Sequence, residues 1–358
     1  MASQQRIKTR GTGEQPANRY QTRRIEAEAD GWPLDPADEL NPDSRATSVD
    51  DEKVRTIIST NQSPDIPFAQ SINPYRGCEH GCIYCFARPT HAYWDFSPGL
   101  DFETRLIAKV GAAERLREAL DKPGYRCQPI ALGMNTDAYQ PLEKQRRITR
   151  ALLEVLRDYR HPVSLITKGG LILRDLDVLA ELAADGLCSV MVSLTTLDDD
   201  LKRRMEPRAA SAATRLKVLR ELSAAGVPTG VILGPMIPFI NDAEMEALLE
   251  SAAAAGATRA SWILLRLPLE IAGLFEDWLQ RHYPDRADHV MARIRDMRGG
   301  KDYDSQFGRR MRGQGPYADL LSQRFKRACR QFGLNQSEPA PLRTDLFRRW
   351  GGGQLDLI

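Results

Sequence analysis

Residues 73–88 read Asn73-Pro74-Tyr75-Arg76-Gly77-Cys78-Glu79-His80-Gly81-Cys82-Ile83-Tyr84-Cys85-Phe86-Ala87-Arg88. Three cysteines stand in a C-x3-C-x2-C spacing. Thiolates grouped this closely converge on one point and hold soft metals. A cubane [4Fe–4S] cluster has four irons, so Cys78, Cys82 and Cys85 would leave one iron open to a small molecule. A single zinc ion on Cys78, His80, Cys82 and Cys85 is the alternative, although zinc sites usually draw ligand pairs from separated segments. The remaining cysteines, Cys127, Cys188 and Cys329, stand alone, and six in 358 residues suit a reducing compartment better than a disulfide scaffold.

Outward from this loop the sequence becomes rhythmic. Short apolar runs lie near Phe68–Ile72, Ile130–Gly133, Val163–Thr167, Ser189–Leu194, Thr229–Leu233 and Ala260–Leu265. Amphipathic stretches separate them near Thr104–Leu120, Glu143–Tyr159, Leu171–Ala184, Ala209–Ala225 and Asp242–Ala255. Val/Ile-rich runs alternating with Ala/Leu-rich ones predict parallel β/α units. Gly186, Gly226 and Gly256 mark the returns from helix to strand. Six such units predict an α/β fold, a partial (β/α)6 TIM-like barrel, with a doubly wound sheet as the alternative. In either, ligands sit at the carboxyl ends of the strands. The cysteine loop follows the first strand and so belongs to that mouth.

The loop resembles the cluster motif of the radical S-adenosylmethionine superfamily, in which an aromatic residue precedes the last cysteine, here Tyr84. The wider stretch Ser71–Arg88 resembles the subgroup related to spore photoproduct lyase, often labelled DNA-repair photolyase-like. The resemblance covers about residues 65–270. It implies the partial barrel, a [4Fe–4S] cluster and S-adenosylmethionine. It also implies reductive cleavage to a 5′-deoxyadenosyl radical, supplied by an external one-electron donor.

By that resemblance Tyr84 lies beside the adenine. Asn135 and Thr136, in Gly133-Met134-Asn135-Thr136-Asp137, meet the amino group. Lys168, in Thr167-Lys168-Gly169-Gly170, meets the carboxylate, and Ser193 meets the carboxylate or the ribose. The residue types are apt: amide and hydroxyl groups can hydrogen-bond an ammonium, Asp137 can attract its charge, and a lysine pairs with a carboxylate. Each also has an ordinary reading, as an Asx-type turn, a surface lysine before a helix, or a helix cap. Spore photoproduct lyase returns a hydrogen atom from a cysteine near the end of the second strand, where this chain has Met134. Tyr75, Tyr93, Tyr139 and Cys329 are the remaining hydrogen-donor candidates.

The flanks read differently. Residues 1–60 are polar and weakly periodic, which predicts a mostly disordered arm. Residues 61–270 form the core, 271–334 an arginine-rich helical cap with helices near Phe275–Met297 and Tyr317–Phe332, and 335–358 a flexible tail. Net charge is +2, yet Arg286–Arg349 carries fifteen Lys/Arg against seven Asp/Glu, which suits a phosphate-rich partner or a solvated helix face. The chain ends Gln354-Leu355-Asp356-Leu357-Ile358, which resembles the bacterial sliding-clamp-binding pentapeptide except for isoleucine in place of phenylalanine. No secretory leader or membrane span is expected, so a cytoplasmic protein is the default. The leading function is a radical enzyme, lyase-like, acting on nucleic acid in DNA lesion repair or base modification. The alternatives are a radical enzyme acting on RNA, a peptide or a small metabolite, and a non-catalytic iron–sulfur or zinc protein associated with DNA.

Overall fold

The structure, a computed structural model, describes residues 10–20 and 46–349. Ten strands are assigned: β1 Ser48–Lys53, β2 Ile58–Thr60, β3 Gln70–Ile72, β4 Tyr75–Arg76, β5 Arg105–Val110, β6 Ile130–Leu132, β7 Val163–Thr167, β8 Cys188–Ser193, β9 Thr229–Met236 and β10 Arg259–Leu264. Six of them, in the order β10-β9-β8-β7-β6-β3, run parallel, and β2 adds antiparallel to β3 at the edge. All six predicted runs are these parallel strands. The architecture is a partial (β/α)6 TIM-like barrel with a helical extension behind it, open between β10 and the β2 edge.

The strands form where β-branched and aliphatic residues can bury both faces. Val163, Leu165, Val190, Val192, Val231 and Leu233 are all buried in the main core. The helix Ile148–Asp158 lays Leu152, Leu153, Val155 and Leu156 against the sheet. Each such side chain contributes about 1.5–3 kcal/mol, and Leu152→Ala would cost about 2–5 kcal/mol. Ser211 caps the helix Ala212–Ala224 by accepting from the Thr214 N–H. Helices return to strands through Gly186 (φ 70°) and Gly226 (φ 77°), as predicted.

Four strands escaped the sequence reading. The stretch predicted as one helix, Thr104–Leu120, is β5 followed by the helix Ala112–Leu120. β5 pairs with β1 and β4 in a separate three-stranded sheet, which recruits Leu106, Ile107 and Ala108 into extended backbone. This sheet matters to the site, because β4 ends one residue before Gly77 and so anchors the start of the cysteine loop.

The flanks are more ordered than predicted. Residues 10–20 and 46–60 do not form a loose arm: Thr12 and Asn18 are buried, and β1 and β2 lie within sheets. The backbone amides and carbonyls of these polar stretches find partners in the core, a gain that apolar periodicity does not register. Residues 335–349 are likewise held, crossing the floor of the barrel beneath the strand starts. Asn335 bonds Ala260, Arg343 N–H donates to the Gly186 carbonyl, and Arg348 N–H to that of Tyr159. Phe347 packs against Tyr125, Tyr159 and His161. The motif Gln354–Ile358 lies outside the described residues. No helix among the described residues is long and apolar enough to cross a membrane.

Candidate active site

The cysteine loop is pinned from four sides. Gln140, fully buried, accepts from the Glu79 N–H at 2.8 Å and donates to the Gly77 carbonyl. Thr136 Oγ1 donates to the same carbonyl at 2.7 Å. Arg88, also fully buried, donates to the Cys82 carbonyl at 2.9 Å and to Glu103 at 2.5 Å. From the far side, Ile83 N–H donates to the Met205 carbonyl and Arg208 N–H to that of His80. Residues 10–20 close the remaining side, with Gly11 N–H donating to Glu103. Gly77 and Gly81 adopt φ near +70°, which lets the loop double back on itself.

Cys78 and Cys82 are buried within this frame, and Cys85 is half-buried beside them. Cys78 packs with Ala87, Phe102 and Cys85, and Cys82 packs with Ile83, Tyr84 and Cys85. Burial pushes the Cys78 thiol up, and Asp137, Cys82 and Cys85 push it further. Burial also raises Cys82, where Glu206 adds to the effect and Lys168 opposes it. Cys78 and Cys82 are thus costly to ionise unless a metal compensates their charge. Two buried thiols and one half-buried thiol, neighbours on one pinned loop, are a soft donor set that fits an iron–sulfur cluster. The zinc alternative also required His80, which instead stands 3.3 Å from Asp137.

Asp137 ties the loop to the barrel. Its Oδ1 accepts from Thr167 Oγ1 and the Tyr139 N–H, and its Oδ2 accepts from the Lys168 N–H. Burial would raise this carboxyl, but His80 and the hydrogen bonds outweigh it and hold the group well below the usual carboxylate range. Asp137 is therefore engaged by the protein and not open to an ammonium. Thr136 is similarly occupied, giving its proton to Gly77 and accepting from Gln140. The sequence placed Thr136 on the ligand; the structure places its hydroxyl on the cysteine loop. Asn135 is at the rim, with its backbone N–H bound to Asn73.

Lys168 and Tyr84 do come together, and Thr195 lies beside the Tyr84 hydroxyl. Lys168 Nζ lies 5.8 Å from the centre of the Tyr84 ring, at the end of β7. Ser193 Oγ and Thr195 Oγ1 both approach the Gly234 carbonyl, at 3.4 and 3.5 Å. Behind them lies a group that sequence reasoning missed. Glu206, fully buried, accepts from the Tyr84 hydroxyl, from Thr195 Oγ1 at 2.8 Å and from Arg215. Its stretch, Met205-Glu206-Pro207-Arg208, precedes a helix and carries no periodic signal. Only a buried acid beside three donors reveals its role.

The hydrogen-donor candidates are scattered. Tyr75 gives its hydroxyl proton to Glu143 inside the core. Tyr139 is buried beside Asp175 and Glu143, and its hydroxyl makes no hydrogen bond of ordinary geometry. Tyr93 is on the surface, stacked on Tyr20 at 5.4 Å. Cys329 touches Asn335, which bonds the start of β10, so Cys329 lies at the floor and not at the mouth. A residue in the appended helices can reach either end of the barrel, and only the packing of helix Pro316–Gln331 against Met245–Ala254 settles which.

The partial parallel barrel carries its three cysteines, two buried and one half-buried, on the loop after its first parallel strand. The chain belongs to the Radical SAM superfamily, whose sequence model matches residues 72–252. Uncharacterized proteins of Mycobacterium tuberculosis and Mycobacterium bovis are 40% identical over 222 residues, covering 62% of this chain and 65% of theirs. The match thus spans just under two thirds of those relatives. An uncharacterized protein of Methanocaldococcus jannaschii is 26% identical over 192 residues, covering 54% of this chain and 69% of that one. Among solved structures, a spore photoproduct lyase mutant with bound AdoMet and dinucleoside spore photoproduct shares the fold. Its TM-score is 0.56 at 15% identity, with 80% of each chain covered. The family implies a [4Fe–4S] cluster and S-adenosylmethionine.

Proposed function

We propose that this protein is a radical S-adenosylmethionine enzyme acting on nucleic acid, in lesion repair or base modification, with lyase-like chemistry. Cys78, Cys82 and Cys85 would hold the [4Fe–4S] cluster. Tyr84, Asn135, Lys168 and Ser193 would hold S-adenosylmethionine. When bound, the pair supplies one-electron cleavage of a carbon–sulfur bond and hence a hydrogen-abstracting radical. The protein's own part is to hold and to shield. Lys168 brings a positive charge to the mouth, suited to a carboxylate. Glu206 fixes the Tyr84 ring by its hydroxyl, and the cover of residues 10–20 keeps water off the loop.

The observation that carries this reading is that Cys78, Cys82 and Cys85 neighbour one another beside Tyr84 and Lys168 at one strand-end mouth. The nucleic-acid part rests on the basic excess of Arg286–Arg349 and on the fold shared with a lyase that binds a dinucleoside. Anaerobic reconstitution, reduction and incubation with modified oligonucleotides in deuterated solvent tests both parts. 5′-Deoxyadenosine should form, and deuterium should enter the oligonucleotide. Absence of 5′-deoxyadenosine from an iron-loaded, reduced sample refutes the enzyme. Its formation without any labelled oligonucleotide refutes the substrate. Gln354–Ile358 would recruit the enzyme to the sliding clamp, and deleting those residues should abolish binding to purified clamp.

A further inference from the structure

Three exposed rings flank the mouth, and each lies against an arginine. Phe86, directly after Cys85, is 45% exposed and has the Arg266 guanidinium 5.0 Å from its centre. Tyr93 and Tyr20, 64% and 51% exposed, stack on each other under Arg19. Phe86 precedes one short 3-10 segment, Arg88–Trp94, and Tyr93 lies in its last turn. Arg19 staples that segment to the chain beyond β10 by bonding the Pro89 carbonyl and Glu270. The rings therefore occupy one rim, between the cysteine loop and the end of β10.

The charges on this rim are unequal. Arg19 is neutralised by Glu270 at 2.8 Å. Arg266 pairs with no carboxylate among the described residues. Its partners are Tyr303 and Met311, and its Nε is buried without a hydrogen bond. A surface of open ring faces with one uncompensated guanidinium suits flat aromatic groups strung on an anionic backbone. A duplex keeps its base faces stacked inside and offers only groove edges and phosphates. Unpaired bases offer the faces that these rings lack.

We propose that this rim binds single-stranded nucleic acid, with unpaired bases stacked on Phe86 and on the Tyr20–Tyr93 pair and a phosphate at Arg266. The inference rests on the nucleic-acid reading above and narrows it.

The test is fluorescence anisotropy with reconstituted full-length protein and three labelled probes: a short oligothymidylate, an abasic strand of equal length, and the matching duplex. The oligothymidylate should bind best. Tyr93→Ala and Phe86→Ala should each weaken it about fivefold or more, the scale of one base–aromatic stack. Tyr93 is on the surface, so its variant should fold even if Phe86→Ala disturbs the loop. Duplex binding as tight as that of the strand, or strand binding unmoved by Tyr93→Ala, overturns the single-strand rim and leaves a nucleic-acid substrate standing. Binding of none of the probes removes both.

Discussion

Gly11 lies so closely on Gly81 that a Cβ added to Gly11 would come within 1.8 Å of the Gly81 carbonyl oxygen. The obstacle is backbone, so no side chain can swing aside to make room. Gly11→Ala must therefore lift residues 10–20 off the cysteine loop. The expected results are sub-stoichiometric iron after anaerobic reconstitution and a destabilisation of about 1–3 kcal/mol. Iron analysis and thermal melting check this; a full cluster with unchanged melting would show the cover to be dispensable.

Cys78→Ser, Cys82→Ser and Cys85→Ser should each lose bound iron. His80→Gln should keep it, because His80 is engaged with Asp137. The cost of His80→Gln is expected to be about 1–3 kcal/mol of stability, for a weakened buried contact. Metal analysis of the four variants decides. Loss of metal from a folded His80→Gln protein would favour a four-ligand zinc site.

Glu206 is the acceptor on which Tyr84, Thr195 and Arg215 converge. Glu206→Gln leaves the buried Arg215 guanidinium without its carboxylate. A destabilisation of about 3–5 kcal/mol is expected by urea unfolding. Tyr84→Phe removes only one donor, and about 1 kcal/mol should be lost. The phenylalanine variant should still bind S-adenosylmethionine, since the hydroxyl it loses is spent on Glu206.

Burial pushes the His91 and His161 imidazoles down to about 4, with the carbonyls of Arg105 and Pro162 only partly opposing it. Both rings are neutral in the folded protein, whereas the unfolded chain takes up protons near pH 6.5. Their contribution to stability is complete above pH 6.5 and falls away as pH drops toward 4. Each ring accounts for a loss on the order of 3 kcal/mol across that window. Chemical denaturation from pH 7 to pH 5 should show the decline, and His161→Gln should flatten it.

The barrel was legible because its strands are apolar runs of the right length between amphipathic stretches. Val163–Thr167 was read to the residue. The accessory sheet was not, because β4 is two residues long and β1, Ser48-Val49-Asp50-Asp51-Glu52-Lys53, is mostly charged. Such strands exist only because β5 supplies partners, and pairing leaves no mark in local composition. The cysteines and Lys168 were legible from spacing and strand-end position. Thr136 was misread because a hydroxyl at a strand end can serve a ligand or a loop equally well. Glu206, Gln140 and Arg88 were invisible because their work is to satisfy buried backbone and hydroxyl groups, which only three-dimensional proximity defines.

Phe347, seated among Tyr125, Tyr159 and His161, fastens the last described stretch of chain to the underside of the barrel. The chain therefore leaves Arg349 at the pole opposite the cysteine loop, so this stretch braces the strand starts and leaves the strand-end face uncovered.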